Sequence, residues 1–315
     1  MELCTVTGGA GFIGSHLVDE LVRMGQRVRV FDDFSTGLRS NLAHQPSVEI
    51  IEGSLTDMAA VEQAVAGAKT IYHLGALASV ARSVETPLVS HAACATGTLN
   101  VLDAARRSGV KRVVFAASSS AYGGAAGESD EPQSESILTY AKSPYAAAKL
   151  AGEAYMQAFA ATYGLETVRL RFFNIFGPRQ RADSPYSGVI ALFIKALSEG
   201  RRPVVHGDGL QSRDFTYVAN AVQAVVKAGT VPGAGISGNV YNVGTGNSVS
   251  VLELIKSLNT ILGRWLDPIH GDPRAGDVKY SRADISRARK DLGYNPTVSF
   301  DEGLRATVEW SQSVS

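Results

Sequence analysis

Eight residues near the start of the chain, Thr7-Gly8-Gly9-Ala10-Gly11-Phe12-Ile13-Gly14, restrict the fold more than any other stretch. They join an apolar, β-branched run, Leu3 to Thr7, to a segment of helical period, Ile13 to Met24. Gly8, Gly11 and Gly14 recur at every third position, and each missing Cβ has a use. The three uses are a tight turn out of a strand, close approach of backbone N–H groups to an anion, and tight seating of a helix on its strand. A helix that begins there also turns its positive end toward the same point. Such a turn suits the pyrophosphate of a dinucleotide, and a glycine-rich turn with a purely structural task would use the same letters.

The rhythm around the turn sets the fold class. Short apolar runs at Leu3 to Thr7, Arg27 to Phe31, Val48 to Glu52, Thr70 to Leu74, Arg112 to Ala116 and Glu166 to Arg171 read as strands. Helical stretches at Ile13 to Met24, Met58 to Val65, Pro87 to Ser108 and Pro144 to Tyr163 separate most of them. Strand and helix in alternation predict parallel βαβ units, hence an α/β chain with a Rossmann-type doubly wound parallel sheet. After Phe172 the pattern loosens into Gly/Pro punctuation, which predicts a smaller C-terminal α/β lobe. Residues 1–174 are therefore expected to hold a dinucleotide and 175–315 mainly a substrate, with some later segments returning to the first unit.

Composition narrows the partners. Thirty basic residues balance thirty acidic ones, so there is no electrostatic footprint for a nucleic acid or an anionic membrane. A phosphate-bearing ligand must then be held by a few placed groups. No long apolar run predicts a membrane span. The cysteines, Cys4 and Cys94, fit neither a disulfide framework nor a metal-ligand spacing. No metal is expected, and a cytoplasmic setting is. The first residues carry no pattern of a secretory signal.

Asp32 follows the second strand, where an acidic side chain can accept hydrogen bonds from the ribose hydroxyls of an adenosine. A solvated turn residue is the plainer alternative. No Lys or Arg follows in Asp33-Phe34-Ser35-Thr36-Gly37, which favours NAD over its 2′-phosphorylated form. Further along, Tyr145 and Lys149 share one face of a helix that starts at Pro144. An ammonium beside a phenol favours the phenolate. Moving a phenol from ~10 to ~7 needs about 4 kcal/mol, so an oxidised cofactor and partial burial are expected to add to what Lys149 gives. Ser118-Ser119-Ser120 lie at a strand's C-terminal end, where doubly wound folds bind ligands and where polar turns are also common.

These segments together resemble the extended short-chain dehydrogenase/reductase family, in its NAD-dependent epimerase/dehydratase branch. Thr7 to Gly14 is similar to its T-G-x-x-G-x-x-G loop and Tyr145-x-x-x-Lys149 to its catalytic pair. The likeness continues through Asp57, Leu74-Gly75-Ala76, Arg171-Phe172-Phe173-Asn174, Gly207-Asp208-Gly209, Arg213-Asp214-Phe215, Tyr241-Asn242-Val243-Gly244 and Pro273-Arg274-Ala275-Gly276-Asp277. Within the family the pattern is most similar to 4-epimerases of UDP-hexoses.

The resemblance implies catalytic roles for Ser118, Tyr145 and Lys149, Ser118 standing four residues before Tyr122-Gly123. It implies NAD contacts at Gly8, Gly11, Phe12, Ile13, Asp32, Asp33, Ser35, Thr36, Gly37, Leu55, Asp57, Leu74 and Ala76, besides Tyr145 and Lys149. Tight retention of NAD is expected, since a cycle that regenerates the cofactor gains nothing by releasing it. For a UDP-sugar it implies Asn174, Arg213, Arg274 and Asp277 at the nucleotide and Val204 and His206 beside the uracil. Ser79, Ser118, Ser119, Ser120, Tyr145, Val189 and Ser281 complete the substrate set. Related dehydratases carry Asp-Glu where this chain has Ser119-Ser120, so C4 oxidation and return is the implied reaction rather than elimination. Small Ser281 leaves room for an acetamido group and favours UDP-N-acetylglucosamine, with UDP-glucose and UDP-glucuronate as alternatives. A dehydratase, or a fold that has kept NAD and lost catalysis, is a further alternative. The family's homodimer would use Pro87 to Ser108 and Pro144 to Tyr163. Cys94 departs from the usual Asn and is expected to cost a hydrogen bond near the cofactor or the central helix.

Overall fold

The computed structural model describes residues 2–123, 130–182, 188–273 and 278–314. Six parallel strands, β1 (Leu3–Thr7), β2 (Arg27–Asp32), β3 (Glu49–Glu52), β4 (Thr70–His73), β5 (Arg112–Ser118) and β6 (Glu166–Phe172), come from the part of the chain before residue 174. Asn239–Val243 returns from the second half to pair with β6 along its whole length. The order across the sheet is β3-β2-β1-β4-β5-β6 and then Asn239–Val243. The chain reverses its direction of winding between β1 and β4, which pair from Cys4 with Thr70 to Thr7 with His73. A ligand crevice opens at the carboxyl ends of strands at such a reversal.

Apolar side chains cover both faces of the sheet. Val6, Leu17, Val18, Val30, Val114 and Val168 share one core with Val222 and Val225 of the Val218–Thr230 helix. Phe31, Ile71, Val113, Phe115 and Met156 share the other. The helix Phe12–Arg23 (α1) buries Leu17, Val18 and Leu21 against the first of these and packs on Val218–Thr230. Segments after residue 174 thus complete the first layer, both as its last strand and as a covering helix.

The smaller lobe has its own apolar centre, formed by Phe176, Phe193, Leu197, Phe215, Leu254, Leu258 and Leu304. Its strands are two or three residues long and pair two at a time, such as Val204–His206 with Ile269–Gly271 and Ser212–Arg213 with Val249–Ser250. A strap after Gly177 ties it back to α1. His16 donates from Nε2 to the Pro178 carbonyl at 2.9 Å, and Arg179 pairs with Asp19 at 2.8 Å.

The stretch Pro87 to Ser108, expected as one helix, is interrupted. Pro87–His91 and Gly97–Arg107 are α-helical, and Ala92–Thr96 between them is a π turn. Within the turn, the Thr98 hydroxyl donates back to the Cys94 carbonyl at 2.6 Å, and Gly97 lets Leu55 approach so closely that a Cβ would stand 2.7 Å from it. No helix among the described residues is long and apolar enough to cross a membrane.

Candidate active site

At the end of β1 the glycine turn does what its spacing predicts. Gly8 has φ +68°, and a Cβ there would lie 2.7 Å from the Gly75 nitrogen across the crevice. A Cβ on Gly14 would lie 2.1 Å from the Gly8 carbonyl oxygen. Gly11 caps α1 and brings no side-chain acceptor to it. The first-turn N–H groups, at Phe12 and Ile13, are thereby left to meet an anion with the helix's positive end. Turn and helix end fit a pyrophosphate.

Asp32 closes this end. It is 8% exposed, and its two carboxylate oxygens accept the Ala10 and Phe34 N–H groups, each at 2.9 Å. Burial raises its carboxyl above the usual range, opposed by these two bonds. Lone pairs remain for ribose hydroxyls. Asp33 folds onto Ser35, and buried Gly37 sits against Ala10, where a Cβ would stand 2.9 Å from the carbonyl carbon. Thr36 is exposed at the rim, and its carbonyl accepts from Arg181. Asp57 caps Met58–Val65 through one oxygen, Oδ1, toward Ala59 and Ala60. Leu55 packs on Gly75, while the Leu74 N–H donates to the Thr7 carbonyl. Ala76 packs with Leu77 and Cys94.

Ser118 ends β5, and the 3-10 turn Ser119–Tyr122 follows it. The Ser118 hydroxyl lies close enough to the Tyr145 phenol to favour its ionised form. Lys149, 2% exposed, donates to the Ala116 carbonyl at 2.8 Å, its nitrogen 5.9 Å from the centre of the Tyr145 ring. The three groups expected from spacing and resemblance do meet. One part of the expectation fails: burial does not help to acidify Tyr145. Loss of water disfavours the phenolate and raises the phenol well above its ordinary value, with Cys94 adding to the rise and Ser118 opposing it. Burial also lowers Lys149, against the pull of Cys94 and Glu153. A phenolate at this position would need nearby positive charge and hydrogen bonds to offset the burial.

Three supports had no signal of their own in the sequence. The Tyr145 N–H, at the start of Pro144–Tyr163, donates to the Ser83 hydroxyl at 3.1 Å, which itself donates to the Val80 carbonyl at 2.6 Å. Glu153 grips Arg171 through two bonds of 2.9 and 2.7 Å, and Arg171 lies over the Tyr122 ring, 4.8 Å from its centre. A buried chain also joins the two ends of the crevice. Thr98 gives its one proton to the Cys94 carbonyl, so it must accept from His73 Nε2–H at 3.0 Å. His73 Nδ1 then accepts the Thr7 hydroxyl at 2.7 Å, and Thr7 accepts the Gly75 N–H at 3.1 Å. Burial and then the charge of Lys149 lower His73 to about 3, which keeps the ring neutral. Cys94 keeps a weak contact, 3.9 Å from its sulfur to the Leu77 carbonyl, in place of the lost side-chain amide.

The substrate set is more dispersed. Ser79 caps the short helix Val80–Glu85 that carries Ser83. Asn174 is half-buried, its carbonyl accepting the Thr216 N–H. Val189 begins the helix Val189–Ser198. Arg213 is braced by the Ser212 carbonyl at 2.7 Å, and Ser281, 8% exposed, lies alongside through the Asp214 N–H to its carbonyl at 2.7 Å. Asp214 itself is buried and accepts from Thr245, Gly246 and Ala283, which pins two segments beside Arg213. Val204 is exposed on its short strand, and His206 donates to the Asp272 carbonyl at 3.1 Å. Arg274 and Asp277 lie outside the described residues.

Comparison with known proteins identifies the family. Residues 4–244 match the model of the NAD dependent epimerase/dehydratase family. A UDP-glucose 4-epimerase of Mycolicibacterium smegmatis is 37% identical over 319 residues, covering 98% of each chain. The solved UDP-N-acetylglucosamine 4-epimerase of Methanobrevibacter ruminantium, in complex with UDP-N-acetylmuramic acid, superposes with a TM-score of 0.93 at 38% identity, covering 100% of this chain and 99% of that one. The Thermus thermophilus UDP-glucose 4-epimerase, solved with NAD, gives a TM-score of 0.90 at 34% identity over 99% of this chain and 100% of its own. A glycine cradle that admits no Cβ, an acid at the second strand and a Ser/Tyr/Lys set at one sheet edge thus belong to an enzyme of the NAD-dependent epimerase/dehydratase family, with NAD as its cofactor.

Proposed function

We propose that this enzyme inverts C4 of a UDP-hexose, and that UDP-N-acetylglucosamine and its C4 epimer are the pair it interconverts. The carrying observation is the Ser118, Tyr145 and Lys149 set with hydroxyls, and no carboxylate, at Ser119 and Ser120. Elimination or decarboxylation would call on further acid–base groups there. The named relatives, UDP-glucose and UDP-N-acetylglucosamine 4-epimerases, support the reaction class. The small side chain of Ser281 supports an N-acetylated sugar.

NAD, held by the Gly8 to Gly14 turn and Asp32, would supply a reversible hydride acceptor for C4. Tyr145 as phenolate removes the proton from the sugar 4-hydroxyl and gives it back. Ser118 hydrogen-bonds that same oxygen, and Lys149 favours the phenolate and holds the cofactor ribose. The family resemblance assigns Arg213 and Arg274 to the sugar's diphosphate, and Asn174, Asp277, Val189, Val204 and His206 to the nucleotide. We further infer a homodimer, on the strength of apolar side chains left exposed along the two expected helical regions, Leu88 at 82% and Val89 at 53% among them. Two buried free cysteines are consistent with a reducing, cytoplasmic setting.

The test is to incubate the enzyme separately with UDP-N-acetylglucosamine, UDP-glucose and UDP-glucuronate and read the C4 configuration by proton NMR. The expected result is an axial 4-hydroxyl product forming fastest from the N-acetylated sugar. No axial product from any of the three overturns the reaction, and faster turnover of another overturns the preference.

A further inference from the structure

Ser120 lacks the carboxylate of related dehydratases, yet it has a defined task next to the reacting groups. The 3-10 turn that follows β5 folds Ser120 back on Ser118. The Ser118 hydroxyl oxygen accepts the Ser120 N–H at 3.2 Å and the Ser120 hydroxyl at 2.9 Å. A serine hydroxyl has two lone pairs and one proton. With both lone pairs engaged, all that Ser118 has left to offer is its proton. Among the groups around that proton is the Tyr145 phenol, whose ionised form Ser118 favours.

We propose that Ser120 is a positioning residue that fixes the polarity of Ser118, keeping it a hydrogen-bond donor to the Tyr145 oxygen until a sugar binds and to the sugar 4-oxygen afterwards. The proposal rests on the reading of Tyr145 as the base. It replaces the substrate contact expected of Ser120 with a role exerted through Ser118. The physical reason is specific to a hydroxyl. A carboxylate at 120 would accept the Ser118 proton and reverse the direction of the bond, whereas a hydroxyl can donate into it. Hydrogen bonding to the charged form is one of the two influences left to favour the phenolate once burial opposes it, the other being nearby positive charge. The charged and titratable groups facing Tyr145 are Cys94 and Lys149, with Glu153, Arg171 and neutral His73 behind Lys149. Replacement of Ser120 leaves all of them in place.

The experiment compares NAD-saturated native enzyme with Ser120→Ala and Ser120→Thr. The alanine variant keeps the backbone N–H bond and loses the hydroxyl bond alone. The Tyr145 phenol is titrated by ultraviolet difference against Tyr145→Phe, without substrate, so the result does not depend on which sugar is turned over. In Ser120→Ala the phenol should titrate about half to one pH unit higher, and kcat below that titration should fall about threefold to tenfold with KM unchanged. Ser120→Thr, which keeps the donor, should restore both. A phenol titration in the alanine variant that overlays the native curve overturns the proposal whatever the kinetics. A raised KM at unchanged kcat also overturns it and returns Ser120 to the substrate. If no UDP-sugar is turned over at all, the reaction assignment fails while the titration still decides the role of Ser120.

Discussion

The phosphate end and the reaction end of the crevice share one sheet edge and are built in opposite ways. The phosphate end is made of backbone and of missing atoms: Gly8 against Gly75, and Gly14 against Gly8, stand closer than any Cβ allows. The reaction end is made of side chains, with Ser118 at the end of β5, Tyr145 and Lys149 on one helix, and Ser83 and Arg171 holding that helix from outside. An added atom should therefore wreck the first end, and a deleted atom should silence the second without disturbing it.

Gly14→Ala is the severest break. The new Cβ would stand 2.1 Å from the Gly8 oxygen and 2.8 Å from the Gly9 Cα, so backbone must move and not merely a flexible side chain. The expected outcome is a loss of stability of several kcal/mol, on the order of 3, together with NAD retention and turnover. Cofactor absorbance of the purified protein and its thermal midpoint read both. A variant that keeps NAD and the native midpoint would mean that the turn has slack which these distances deny.

Tyr145→Phe is the matching deletion. It removes one oxygen from a half-buried ring and leaves the helix start, Pro144 and Ser83 untouched. Turnover should fall at least about a hundredfold to ten-thousandfold, the contribution of a general base, while NAD content and thermal midpoint stay within error of native. Unchanged turnover would take the proton-transfer role away from Tyr145. Loss of NAD would mean that the two ends are not separable.

The same contrast explains what could be read from the sequence. Strands β1 to β6 lie within a residue or two of the apolar runs that predicted them, and the glycine turn was legible because missing side chains leave a spacing. Tyr145 and Lys149 were legible as an i, i+4 pair beside a serine cluster. Ser83, Thr98 and the direction of the Ser120 bond were not, because a single hydroxyl hydrogen bond leaves no period in the sequence. The π turn at Ala92–Thr96 depends on Thr98 meeting His73 from β4, a contact between segments far apart in the chain. Asn239–Val243 reads as a short polar motif until it pairs with β6. The smaller lobe's two-residue strands are below the length at which alternation can be recognised, so its residues were assigned by resemblance alone.

His73 tests whether the two ends are joined by the chain Thr7–His73–Thr98. The ring is held neutral at about 3 against an ordinary 6.5, chiefly by burial and also by Lys149. Between those values the unfolded chain binds a proton here that the native enzyme does not, so stability declines as pH falls through the window and is unaffected by this group above it. The slope amounts to about 1.4 kcal/mol per pH unit. His73→Asn should be less stable at neutral pH, because Thr7 and Thr98 lose their shared partner, by about 1–3 kcal/mol. Its stability should nevertheless fall less steeply with acid than that of the native enzyme. His16, also lowered by burial, contributes equally to both proteins and cancels. Urea unfolding of each, with NAD in excess and pH stepped down from neutrality, gives the two slopes. Parallel curves would mean that His73 takes up a proton in the native enzyme, in which case Nδ1 could no longer accept from Thr7 and the two ends would be held by separate devices.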